Sequence, residues 1–283
     1  MRNSILIFIA IFSFNFLYSQ DFQGKAYYQS KTSFDLGSWG STMSTEQKNQ
    51  MKARMKNMLE NTFILTFNKV ESTFKEEERL DAPGHGRGMI FFGGSSSGPR
   101  YKNIKEKISL EEIEFFGKKF LISDDVDEIK WEMTNEQKKI GNYICFKAIA
   151  KKKVPFNFGE ISAPKPKDDT VKDSTDKKRE IKTIENPKTI EIVAWYTPQI
   201  PVSHGPAEFG GLPGLILELT TDKTVLICSK IVMNPEKKDE ILMPTKGEKV
   251  TRNEYDEIIK FKMEEMRSMR DRRNSKGVHI MIH

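Results

Sequence analysis

Residues 194–219 read AWYTPQIPVSHGPAEFGGLPGLILEL, and the mechanics of this stretch decide the architecture. Thr189 to Thr197 is an extended, β-branched run, and Pro198 stops it, because proline has no amide for a ladder and forces its predecessor extended. Ile200-Pro201 continues in polyproline-like geometry, and Ser203-His204-Gly205-Pro206 makes a turn. Gly210-Gly211-Leu212-Pro213-Gly214 then supplies positive φ or close backbone approach before the chain re-enters a strand at Leu215. The product is a rigid crossing loop between two core strands, a clasp that can serve as a structural element or as a binding surface. Pro201, Pro206, Gly211, Pro213 and Gly214 are required in it for backbone reasons.

Working outward, Leu215 to Leu219 and Val225 to Val232 form a hairpin about Thr221-Asp222-Lys223. The strand before the clasp is expected to pair with Ile140 to Ala150, which is apolar on both sides of the alternation, as in a strand covered on both faces. Ile129, Trp131 and Met133 alternate with Glu128, Lys130 and Glu132, the pattern of a half-buried strand. Further upstream, strands are expected around Phe22 to Phe34, Asn61 to Phe67, Glu71 to Lys75, Tyr101, Ile108, Phe115-Phe116 and Phe120 to Ile122. Asn68-Lys69 and Gly117-Lys118-Lys119 are the turns among them.

Two segments switch to the helical period. Residues 44–60 open on a capping box of Ser44 with Gln47 and carry Met51, Met55, Met58 and Leu59 on one face. The second begins at Thr251 with Glu254, and its Tyr255, Ile258, Ile259, Met263, Met266 and Met269 share one stripe, with Phe261 off it. Gly277 precedes a short closing strand, Val278 to Ile282. The fold class is therefore mainly β (α+β): a curved antiparallel sheet with two packing helices.

Residues 1–19 carry an apolar run of roughly 12 to 14 residues, shorter than the roughly 20 a spanning helix needs, followed by polar Ser19-Gln20-Asp21. They read as a secretory signal peptide, leaving residues 20–283 as one exported domain with no transmembrane segment and no cysteine at the cut for lipid attachment. The expected location is outside the cytoplasm. Residues 81–99, rich in glycine, and 163–182, nearly all charge, Pro, Ser and Thr, read as flexible or disordered insertions within that domain.

The chain has 46 Lys+Arg against 40 Asp+Glu, with both signs interspersed, and no motif supports nucleic-acid binding. Its two cysteines, Cys145 and Cys228, could close a disulfide in an oxidising compartment or stay as buried thiols. Ser203 and His204 are adjacent in a turn, where side chains diverge, and no nucleophile elbow occurs. The methionine rows fit helix packing better than soft-metal binding. His279 and His283, on one face of a strand, would stand about 13 Å apart, too far to share an ion. No catalytic residue, cofactor or metal is expected.

The clasp resembles the GLPGLI family of exported proteins of outer-membrane bacteria, in which Gly211-Leu212-Pro213-Gly214-Leu215-Ile216 is the naming string. Trp195-Tyr196-Thr197, Ile200-Pro201 and Gly205-Pro206 stand in the family's order, and Cys145 lies shortly before Lys147-Ala148 as its cysteine often does. Both insertions depart from the family's layout. The resemblance implies export and a β-rich fold, and brings no activity with it. Two functions follow as expectations: a non-catalytic module for an apolar ligand or lipid, or an accessory subunit that meets an outer-membrane protein through the clasp, which exposure of Trp195, Tyr196 and Leu212 would favour and burial of all three would make structural instead.

Overall fold

A computed structural model describes residues 22–33, 43–77, 97–126, 129–154, 188–222 and 224–278. Residues 1–19, expected from the sequence to be a signal peptide, the 163–182 segment, most of the 81–99 segment, His85, His279 and His283 lie outside the described residues. So do the side chains of Met55, Met58 and Leu59.

Twelve strands form a single open sheet: β1 (Gly24–Thr32), β2 (Glu60–Phe67), β3 (Glu71–Glu76), β4 (Ser97–Asn103), β5 (Ile108–Phe115), β6 (Lys118–Asp125), β7 (Glu132–Ile140), β8 (Tyr143–Val154), β9 (Lys188–Thr197), β10 (Leu215–Thr221), β11 (Thr224–Met233) and β12 (Glu248–Val250). Their spatial order is β12-β6-β5-β4-β3-β2-β1-β11-β10-β9-β8-β7. Every neighbouring pair is antiparallel except β12 on β6. Among the described residues the helices are α1 (Thr45–Leu59) and α2 (Arg252–Val278).

Local chemistry explains most of the junctions. Asn68 turns β2 into β3 by accepting from the amides of Val70 and Glu71 at 2.7 and 2.6 Å. The Ser44–Gln47 box caps α1 reciprocally, at 2.9 and 3.2 Å. The β5–β6 turn falls on Phe116-Gly117, both at positive φ, one step before the position expected, which suits a two-residue hairpin. A register shift between Ile216 and Glu218 lets β10 bury Leu215, Ile216 and Leu217 in succession. That bulge is why this apolar string does not alternate.

Register assigns the faces. Tyr28, Leu65, Phe67, Ala148, Ala194, Tyr196 and Leu219 lie on one face and form the main core with the clasp residues Ile200, Val202, Phe209 and Leu212. On the same face, Ile113, Phe120 and Ile122 form a second core with Tyr255 and Ile259 of α2. The Tyr255 ring meets Phe120 edge-on at 5.3 Å.

Four expectations need correction. Ile129 and Trp131 precede β7 and pack on the core, whereas β7 is an edge strand with Met133 exposed, because among the described residues no strand pairs beyond it. β8 is covered unevenly on both faces: Ala148 and Ala150 are buried but Ile144, on the same face, is exposed, and on the other face Cys145 is buried while Lys147 and Ile149 are half-buried, since β8 stands one place from that edge. Val278 ends α2 rather than opening a strand. The α2 stripe is buried only at Tyr255 and Ile259, with Ile258 and Met263 partly covered and Met266 and Met269 exposed.

Candidate functional site

The clasp is a loop held by its own backbone. Val202 N donates to Ile200 O at 2.8 Å across Pro201, Gly211 N to Ser203 O at 3.0 Å, and Phe209 N to Pro206 O at 3.1 Å. It is sewn to β10 by Leu215 N donating to Ile200 O and Ile216 N to His204 O, at 3.0 and 3.2 Å. Gly211 takes φ +84°, and Ala207, with a Cβ, takes φ +51°. Gly214 has no positive φ; its role is close approach, since a Cβ there would stand 2.3 Å from Thr197 O.

Buried polar groups from distant strands hold the loop in place. Lys102 of β4 is 3% exposed, and its Nζ donates to Gly205 O at 3.1 Å and Phe209 O at 2.7 Å. Arg100 reaches Glu208 at 3.1 Å and also binds Glu111, which in turn takes Arg252 at the start of α2. Lys152 of β8 approaches the other Glu208 oxygen at 3.7 Å. Trp131 Nε1 donates to Gly210 O at 2.9 Å, and Tyr28 Oη to Ile216 O at 2.6 Å.

These contacts fix the curvature of the sheet. β4 and β8 are seven strand steps apart, about 34 Å along a flat sheet. Arg100 and Lys152 nevertheless reach one carboxylate, so the sheet curls into a gutter and the clasp fills its concave side.

Burial sets the charge states inside. The Lys102 ammonium is pushed down to about 7 by burial first and by the Arg100 charge second, against an opposing pull from Glu208. The His204 imidazole is pushed down to about 3 by burial and by Lys102. His204 is fully buried, with Nε2 3.1 Å from Asn68 O and the ring tilted against Phe67. A neutral ring donating from Nε2 is the form this site accepts. Burial would raise Glu208, but Arg100 and Lys152 outweigh it and hold the carboxylate ionised.

The residues singled out by sequence divide between two faces. Tyr196 and Leu212 are buried at 6% and 1%, as are Gly205, Pro206 and Gly214, whereas Pro201, Gly211 and Pro213 are exposed. Trp195 is half-buried on the convex face, where Lys138 Nζ stands 4.3 Å from the ring centroid and binds Glu218 at 2.7 Å. Cys145 and Cys228 stand as free thiols, with β9 and β10 between their strands. Ser203 and His204 make no dyad, because His204 turns its Nε2 to Asn68.

Lys102, Arg100, Glu111 and Glu208 were not legible as a site. The run Arg100-Tyr101-Lys102-Asn103 reads as solvated, and the one available signal is that its two cations alternate with Tyr101 on a strand.

Residues 131–218 match the family model described as a protein of unknown function (Porph_ging). The Porph_ging match covers β7 to β9, the whole clasp and the start of β10, and leaves β1 to β6 and α2 outside it. Comparison with curated proteins gave no match. Among solved structures, the chain is similar to PNGF-II in two crystal forms, C2 and P21. Identities are 14% and 15% and TM-scores 0.47 and 0.46, over 84% of this chain in both. The chain spans about a third of the PNGF-II length, 32% and 33%. Among the described residues no helix is long and apolar enough to cross a membrane.

Proposed function

We propose that the protein is an exported, non-catalytic module of the GLPGLI type, released by cleavage of residues 1–19 and acting as an interaction subunit of an outer-membrane assembly. The observation that carries this reading is the filled gutter. Ile200, Val202, His204, Phe209 and Leu212 occupy the concave side of the sheet, where a lipid chain would otherwise lie. An apolar-ligand carrier of this architecture would have to expel a loop tied to β4 by two Lys102 hydrogen bonds and to β10 by two backbone bonds.

The convex side of β8 to β11 is the better contact surface. Register aligns Ile149, Val193, Thr220 and Val225 in one row and Lys147, Trp195, Glu218 and Ile227 in the next. Val225 and Ile227 are exposed there, and Ile149, Val193 and Trp195 half-buried, ringed by Lys147, Glu218 and Lys138. An apolar centre with a charged rim is the anatomy of a protein contact. The clasp then works from beneath, by fixing β9 and β10.

A photoreactive side chain at position 227, introduced in the producing cell, tests the reading. The expected result is one discrete adduct with an envelope protein. Absence of an adduct at positions 193, 225 and 227, with a lipid retained in native mass spectrometry, would replace it with the carrier.

A further inference from the structure

We propose that the outer half of α2 is a contact element for an anionic phospholipid surface, separate from the convex face and independent of any protein partner. α2 begins firmly docked. Thr251 and Glu254 cap it, Arg252 binds Glu111, and Tyr255 and Ile259 are buried against β6. Met263 is the last described residue of the helix packed on that core, and the next two described positions of the stripe are uncovered: Met266 is 38% and Met269 53% exposed, with Phe261 at 66%.

Charge changes sign at the same point. Residues 252–265 contain five Asp or Glu and three Lys or Arg, whereas residues 266–278 contain Arg267, Arg270, Arg272, Arg273 and Lys276 against Asp271 alone. Complementing the helix dipole accounts for cations in the last turn only. Five cations over almost four turns, interleaved with two uncovered methionines, fit a surface that is anionic outside and apolar a few ångströms deeper.

Vesicle co-sedimentation of the chain from Gln20 onward tests this, using phosphatidylcholine vesicles with and without roughly one third phosphatidylglycerol. Binding is expected to the anionic vesicles and to weaken steeply in high salt. Each cation near the surface contributes about fivefold, so the triple variant Arg270→Gln, Arg272→Gln, Arg273→Gln should bind about a hundredfold more weakly. Met266→Ser with Met269→Ser should weaken binding while leaving its salt dependence intact. Both variants should melt as the parent does, because the docked residues are untouched. Failure to bind anionic vesicles, equal binding to neutral ones, or parent-like binding by the triple variant overturns the proposal.

Discussion

Replacing Lys102 by methionine should change the pH dependence of stability more clearly than stability itself. In the folded protein the ammonium is held near 7 by burial and by Arg100, against about 10.5 in the unfolded chain. Its folded pKa is depressed, so between pH 7 and 10.5 the unfolded state binds more protons and stability rises with pH. The favourable contribution is complete above 10.5 and is lost as pH falls through 7. Between pH 7 and 9 the linkage amounts to about 2 kcal/mol. The thiols of buried Cys145 and half-buried Cys228, raised to about 11 and 12, lose a little stability over the same range, but they do so in both proteins. Urea unfolding of parent and Lys102→Met at pH 7 and 9 isolates the difference. The parent should gain about 2 kcal/mol more than the variant over that interval. Parallel pH profiles would refute the claim that Lys102 is buried beneath the clasp.

Other predictions concern the same loop and its surroundings. Gly214→Val should destabilise the protein by more than about 2 kcal/mol, because the new Cβ collides with the Thr197 carbonyl, and an unchanged urea midpoint would remove that contact from the account. Ala207→Gly should stabilise by about 1 kcal/mol by relieving a left-handed backbone, with a lower melting temperature as the contrary result. Below pH 6.5 stability should fall by up to about 1.4 kcal/mol per pH unit on account of His204, and His204→Phe should flatten that slope in acid-range unfolding curves. The denatured, unreduced protein should titrate two thiols, and none would mean that the sheet order between β8 and β11 is wrong.

Features set by neighbours in sequence could be read in advance. The Asn68 turn, the Ser44 box and the ending of β9 at Pro198 each follow from a few adjacent residues, and each stands where the residues put it. Features set by strand order could not. Nothing local says that β8 and β11 are kept apart by two strands, or that the pattern at Ile129 to Met133 spans an entry segment and an exposed edge. The clasp was legible as a backbone device but its destination was not, because Lys102 and Arg100 meet it only through the curl of the sheet. Gly214 illustrates the limit: glycine was required, and only the position of Thr197 O distinguishes close approach from positive φ.

The central claim is that the clasp is a permanent filling of the gutter rather than a lid over a binding site. Amide hydrogen exchange of the native protein, with and without lipid micelles, tests it most directly. The amides of Gly211, Leu215 and Ile216 should exchange as slowly as those in the middle of β9 and β10, opening only with global unfolding, and lipid should not alter them. Clasp amides that exchange orders of magnitude faster than the strands, or that change on adding lipid, would mean that the loop leaves the interior and that the interior is a site.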